Sequence, residues 1–217
     1  MTVRRLPAAM WLAVALAGCA LNKPVPQATT YAIDTPVSPP NPAAATDRVP
    51  TTLRMGRVRI AAAFSGTALV YRMDEVKFVS DPYSAFIADP AAMLGDQMAV
   101  WLNNTGPFQT VALPESTQAV SYVLEAHVTE LYGDFRTGRS PAAVLAMQLT
   151  LLDLTGARPR SVLQRSIAKR LDIAHPTAEA LVQGYGVALA DLLTELESEL
   201  QATLRANQRI GDSVPRH

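Results

Sequence analysis

The chain has 217 residues, 19 Lys and Arg balanced by 19 Asp and Glu, a 49% apolar composition and a single cysteine. One cysteine excludes an internal disulfide framework, so stability must come from a packed core, and the length suffices for one sizeable interior. The even charge balance excludes the clustered cations that a phosphate backbone demands, and nucleic acid as a partner with them.

The chain begins with Arg4 and Arg5, followed by an apolar run over residues 6–16 and small residues before Cys19. That order is the layout of a secretory signal peptide. The run is well short of the ~20 residues a membrane-spanning helix requires. Residues 1–18 therefore read as an export signal. Leu16-Ala17-Gly18-Cys19 resembles the bacterial lipobox, in which the thiol receives a diacylglyceryl group and becomes the new N-terminus. Cys19 is the expected lipid attachment site. Ala20 and Leu21 follow it, without the Asp that usually retains a lipoprotein in the inner membrane. The resemblance thus implies the periplasmic face of the outer membrane. One acyl chain gives only marginal binding, at about 0.8 kcal/mol per buried methylene, and several make the anchor stable.

Residues 19–50 form a tether, since seven of the sixteen prolines fall between residues 22 and 50. Proline fixes the backbone and removes a donor, which favours extended linker. One island, Thr29 to Asp34, reads as a short edge strand. The tether ahead of it, about nine residues at ~3.1 Å each, keeps the folded part within about 30 Å of the membrane.

A single domain is expected over residues 51–206. Residues 53–60 and 67–73 are rich in Val, Leu, Ile and Tyr and read as strands, with another at 75–79. Asp89-Pro90 opens a helix, Asp as N-cap and Pro in the first turn, and Gly106-Pro107 stops it. Residues 108–113 return as a strand. Tyr122, Leu124, Ala126 and Val128 alternate with more polar neighbours, as a half-buried strand should. A polar loop over 133–141 leads to strands at 143–154 and 162–173, predicting an antiparallel meander. From Thr177 to about Arg205, Leu181, Tyr185, Leu189, Leu192, Leu196 and Leu200 repeat at helical spacing. Gly184 and Gly186 inside that helix suggest close packing or a bend. Residues 207–217 are polar and expected to be a disordered tail. The sum is an α+β domain, an antiparallel sheet covered on one side by two helices, the second long and C-terminal.

Three segments in order resemble the ABC-type transport auxiliary lipoprotein family, which includes paraquat-inducible protein C-type lipoproteins. They are the lipobox with Thr30-Tyr31-Ala32-Ile33 soon after it, Ala68-Leu69-Val70-Tyr71-Arg72, and Phe86-Ile87-Ala88-Asp89-Pro90 leading into a helix that ends in Trp101-Leu102. The family usually has Trp and a Pro-Pro pair where this chain has Phe86 and Asp89-Pro90. The resemblance implies a non-enzymatic part of a lipid-trafficking system, anchored in the outer membrane through its N-terminal lipid. It implies as partners a periplasmic protein with a mammalian-cell-entry (MCE) domain and its ABC transporter, phospholipid as cargo, and a homo-oligomer as a plausible state. Tyr71, Arg72, Phe86 and Arg136 are the candidate partner-binding residues. For Tyr71 and Arg72 a purely structural role at a sheet edge is the stronger reading of the residues themselves.

Catalytic signatures are missing from the sequence. It has no Gly-x-Ser-x-Gly elbow, no His-Glu-x-x-His zinc motif and no phosphate-cradling glycine loop. His127, His175 and His217 are scattered, and nothing in the spacing brings Asp81, Asp89 and Asp134 together. No metal, cofactor or catalytic residue is therefore expected. An assembly or pilot lipoprotein for an outer-membrane channel would share the anchor and the small α+β domain, and is the alternative.

Overall fold

The computed structural model describes residues 27–36 and 48–213; the expected export signal over residues 1–18 and Cys19 lie outside the described residues. The architecture is organised around one strand, β7 (Tyr122–Asp134), whose first half carries the expected alternation. Its inward side chains, Leu124, Ala126 and Val128, are almost fully enclosed. On one edge β7 pairs antiparallel along its whole length with β8 (Ala142–Asp153), which pairs antiparallel with β9 (Arg160–Asp172). This is the predicted meander.

The opposite edge of β7 is shared by three short strands set end to end. β2 (Val49–Met55) pairs with residues 122–124, β3 (Arg59–Ile60) with His127 and Val128, and β4 (Ala68–Arg72) with Gly133 and Asp134, all in parallel. The sheet therefore forks. One branch continues from β4 to the antiparallel β5 (Phe78–Phe86) and then to β1 (Thr29–Tyr31), which lies parallel to β5. The other passes from β2 to the parallel β6 (Phe108–Ala112). The α+β class holds, and the sheet is mixed. Parallel partners need a crossover between them, and hydrophobic alternation does not reveal which distant strand will fill an edge.

Two local departures have simple causes. The single strand expected over 53–60 is two, because at Gly56 the chain turns in close against β7, its N–H donating to the Leu124 carbonyl at 2.8 Å. The strand expected at 75–79 is β5, which starts at Phe78 and runs through Pro82. Pro82 lies in a bulge between Ser80 and Ala85, where pairing with β4 is interrupted, so its missing donor disturbs no ladder.

α1 (Pro90–Thr105) begins as predicted, the Asp89 side chain accepting from the Ala91 N–H at 3.0 Å with Pro at the first position. At its far end Arg48 donates to the Asn103 and Asn104 carbonyls at 3.0 and 2.7 Å, a cation placed on the negative end of the helix. α2 (Ala178–Ser213) packs on β8, β9 and α1, so both helices cover the same face. It continues past residue 207, since no glycine or proline interrupts residues 187–210. Leu181, Tyr185, Leu189, Leu192, Leu196 and Leu200 are all buried. Lys169–Glu195 at 2.7 Å and Arg165–Glu199 at 3.0 Å tie the helix to β9 at the surface, at under about 1 kcal/mol each.

The segment around Ile33, inside the stretch expected to be tether, packs on the fold. Ile33 sits in the core, and Thr35 donates to the Gln97 side chain from its N–H at 3.1 Å and its hydroxyl at 2.6 Å. Gly186 of α2 makes room for this segment, as a Cβ there would collide with the Asp34 carbonyl.

Candidate functional site

The parallel pairing of β4 with β7 brings Tyr71 opposite Gly133 and Arg72 opposite Asp134, at the end of the sheet where the β4–β5 hairpin emerges. Asp134 is 1% exposed. A buried carboxylate must be paired. Arg136, two residues on, grips it with both ends of the guanidinium, Nε to Oδ1 and Nη2 to Oδ2, each at 2.8 Å. Arg170 approaches to 3.6 Å. The hydrogen-bonded Arg136 holds the Asp134 carboxyl down at about 2, against the opposing effect of burial. The same Arg136 donates to Glu75 at 2.7 Å, joining the end of β7 to the hairpin turn.

Arg72 closes the turn from the other side. It donates to the Glu75 carboxylate at 3.2 Å, to the Glu75 carbonyl at 2.9 Å and to the Asp74 carbonyl at 3.2 Å. Its guanidinium lies 5.6 Å from the Phe78 ring and 6.0 Å from Tyr132. Phe64, Phe78 and Tyr132 form an aromatic group beneath it, with centroids 5.4 to 6.2 Å apart. Tyr71 stacks on Phe135 at 4.9 Å and donates its hydroxyl to Asp81 at 2.6 Å. Burial and then the Asp81 carboxylate raise the Tyr71 hydroxyl well above its ordinary value. Asp81 accepts from the Tyr83 and Ser84 N–H groups at 2.8 and 3.0 Å, which shapes the β5 bulge. Burial pushes its carboxyl up, but these donors together with Tyr71 outweigh it and the carboxyl ends below its ordinary value.

Of the four residues singled out in the sequence, the structure brings Tyr71, Arg72 and Arg136 together as a clamp on the hairpin. Phe86 is elsewhere, 4% exposed and packed 6.2 Å from the Tyr185 ring under α2. It presents no surface to a partner. Glu75, Phe78, Phe64, Tyr132, Phe135 and Arg170 complete the cluster and were not found from sequence. The run Tyr132-Gly133-Asp134-Phe135-Arg136 carried a usable signal, with two aromatics and an acid–base pair at the end of an apolar strand.

The polar residues considered for chemistry have separate structural roles. Asp89 caps α1, Asp81 shapes the bulge and Asp134 anchors Arg136. His175 lies in the turn before α2, its carbonyl accepting from Thr177. His127 lines an open cleft of about 530 Å³ beside Arg59, Asp89 and Gln148, and its Nδ1 meets no protein partner. Among the described residues no three His, Cys, Asp or Glu side chains converge to hold a metal ion, and no helix is long and apolar enough to cross a membrane.

The charge cluster of this small α+β domain is spent on bracing a hairpin. The chain belongs to the ABC-type transport auxiliary lipoprotein component family, whose model matches residues 31–197. It is similar in fold to protein XCC0632 from Xanthomonas campestris, with a TM-score of 0.71 at 20% identity over 83% of this chain and 99% of that one. It is also similar to hypothetical protein CT253 from Chlamydia trachomatis, with a TM-score of 0.50 at 10% identity over 73% and 99%. No curated protein sequence matches it significantly.

Proposed function

We propose that the protein is a lipid-anchored, non-catalytic auxiliary component of an ABC transport system of the MCE type, holding the periplasmic partner at the inner face of the outer membrane. The observation that carries this reading is the family match over residues 31–197, joined to the lipobox at Cys19. The docked segment around Ile33 and Thr35 supports it, because it leaves a short leash of seven residues between Gln27 and Cys19. A domain on so short a leash stays at the membrane surface and acts as a fixed post.

Arg72 and Arg136 are engaged by internal carboxylates, and Tyr71 by Asp81. Their role in docking is accordingly indirect, through the hairpin they hold, and partner recognition falls to the surfaces that face away from the anchor. Phospholipid is the cargo of such a system, and this subunit supplies position rather than turnover.

The test is mild cross-linking of the full-length protein in its native membranes, followed by purification and mass spectrometry. An MCE-domain protein among the captured partners supports the reading. Capture of an outer-membrane channel in its place would move the protein to the assembly class.

A further inference from the structure

The β4–β5 hairpin is unusual among the elements of this fold, because residues 73–80 are all exposed, on both faces of the ribbon. A strand pair in water normally keeps one face covered. Here the apex carries Val76 at 88% exposure, and Met73, Phe78 and Val79 behind it are about two-fifths exposed. Tyr83 follows on the same strand at 48%. The acidic groups of the turn are exposed, the Glu75 side chain 71%, but both are engaged within the hairpin and its clamp. Asp74 accepts from the Val76 and Lys77 N–H groups at 2.9 and 2.6 Å, and Glu75 is held by Arg72 and Arg136. The most exposed apolar side chain of the tip is Val76, set beside these Arg-paired and turn-bonded acids and flanked by Lys77 and by Arg139, which is 56% exposed and 3.8 Å from Glu75. An apolar tip with aromatic and long cationic side chains behind it matches the layered polarity of a bilayer interface.

The register of β1 gives the tip its occupant. β1 runs parallel to β5, with Thr29 opposite Ser84 and Tyr31 opposite Phe86. Traced backwards from Thr29, the chain heads toward the start of β5, the hairpin tip. Gln27 is level with Pro82, and Phe78 lies about 13 Å further on at ~3.3 Å per strand residue. The eight residue-to-residue steps from Gln27 to Cys19 span at most about 28 Å. Cys19 can therefore lie no further than about 28 Å from Gln27, a reach that lets a bilayer holding its lipid also meet the tip.

We propose that the tip of the β4–β5 hairpin, Met73 to Val79, is a second membrane contact, seated among the headgroups of the bilayer that holds the lipid on Cys19. The inference rests on the lipid anchor of the preceding section. It gives the clamp of Arg72, Arg136 and Asp134 a purpose, which is to keep the hairpin rigid so that the tip fixes the tilt of the domain. With one attachment the domain would swivel; with two it stands in one orientation and presents its far end, the turn at residues 154–159, to the periplasm.

The test uses the full chain, processed in membranes and reconstituted into vesicles of phosphatidylethanolamine and phosphatidylglycerol. Cys19 is the only native cysteine, so acylation leaves Val76→Cys as a unique thiol for an environment-sensitive fluorophore; Met73→Cys provides a second site and Ala157→Cys a control at the opposite end. The expected result is a blue shift and strong quenching by nitroxide-labelled lipid at 76 and 73, with neither at 157. Quenching by aqueous iodide at 76 equal to that at 157 overturns the proposal. Shielding of 76 from both quenchers overturns it too, and assigns the tip to a protein contact. Intact mass separates the two readings: an acylated protein with a wet tip defeats this inference alone, whereas a protein without acyl mass defeats the anchor and this inference together.

Discussion

Gly186 in the long helix lies directly against the carbonyl of Asp34, so close that no side chain fits between them. Two segments more than 150 residues apart in sequence thus meet through a missing methyl group. On helix propensity alone, Gly186→Ala should stabilise the protein by about 1 kcal/mol. The contact reverses the sign. The substitution is expected to lower the thermal midpoint and to raise amide exchange over residues 27–36 while leaving β7 and β8 protected. Gly95→Ala is the comparison, since its new Cβ would meet mainly the Val58 side chain at 3.1 Å. A stabilised Gly186→Ala would show that the N-terminal segment is not held there.

The Asp134–Arg136 pair predicts a pH dependence with a definite sign. The carboxyl sits at about 2 in the folded protein against an ordinary 3.8, so the native state binds the proton less readily than the unfolded chain. Its stabilisation is complete above the unfolded value and is lost as pH falls from about 4 through about 2. At 1.36 kcal/mol for each tenfold step, it contributes roughly 2 kcal/mol. Urea midpoints at pH 6 and pH 3 should differ more for the native protein than for Asp134→Asn. Equal differences would remove Asp134 from the acid response.

Phe86 distinguishes core from contact. Burial against Tyr185 predicts that Phe86→Ala costs about 3–5 kcal/mol, a loss visible as a lowered unfolding midpoint without any partner present. A variant of native stability that failed only in partner capture would restore it to the binding surface.

Tyr71 offers a gentler probe of the clamp. Tyr71→Phe keeps the stack on Phe135 and deletes the 2.6 Å hydrogen bond to Asp81, which retains its two backbone donors. A loss of about 1 kcal/mol in urea unfolding at unchanged m-value is expected. Exchange should rise in the bulge around Tyr83 and Ser84, and no change there would contradict the role assigned to Asp81.

How far the sequence could be read follows from the range of the forces involved. The meander of β7, β8 and β9 was legible because β7 alternates, β8 is a long apolar run, β9 keeps its apolar residues on one side, and each partner is next in the chain. Both helices were legible from caps and stripes, and Gly184 and Gly186 pointed correctly to close packing, against Ala143 and Asp34. β5 was legible only at its start, around Phe78 and Val79, because exposure on both faces erases the period further along and Pro82 argues against a strand. The parallel edge of β7 was hidden for a different reason, since β2, β3 and β4 find it from more than 60 residues away in the chain. The clamp escaped because Arg136 and Glu75 become neighbours only once β4 lies beside β7.

The seat of β7 between its neighbours also governs the order in which the molecule can be assembled. Any chain made from its N-terminus presents β2, β3 and β4 well before the strand they lean on exists. Until Tyr122–Asp134 has emerged, those segments have open edges and apolar faces without cover, Leu53, Met55 and Leu69 among them. Pairing of such separated segments is slow compared with local helix or hairpin formation. The first half of this protein is therefore a waiting chain, exposed to misassociation until its central strand arrives.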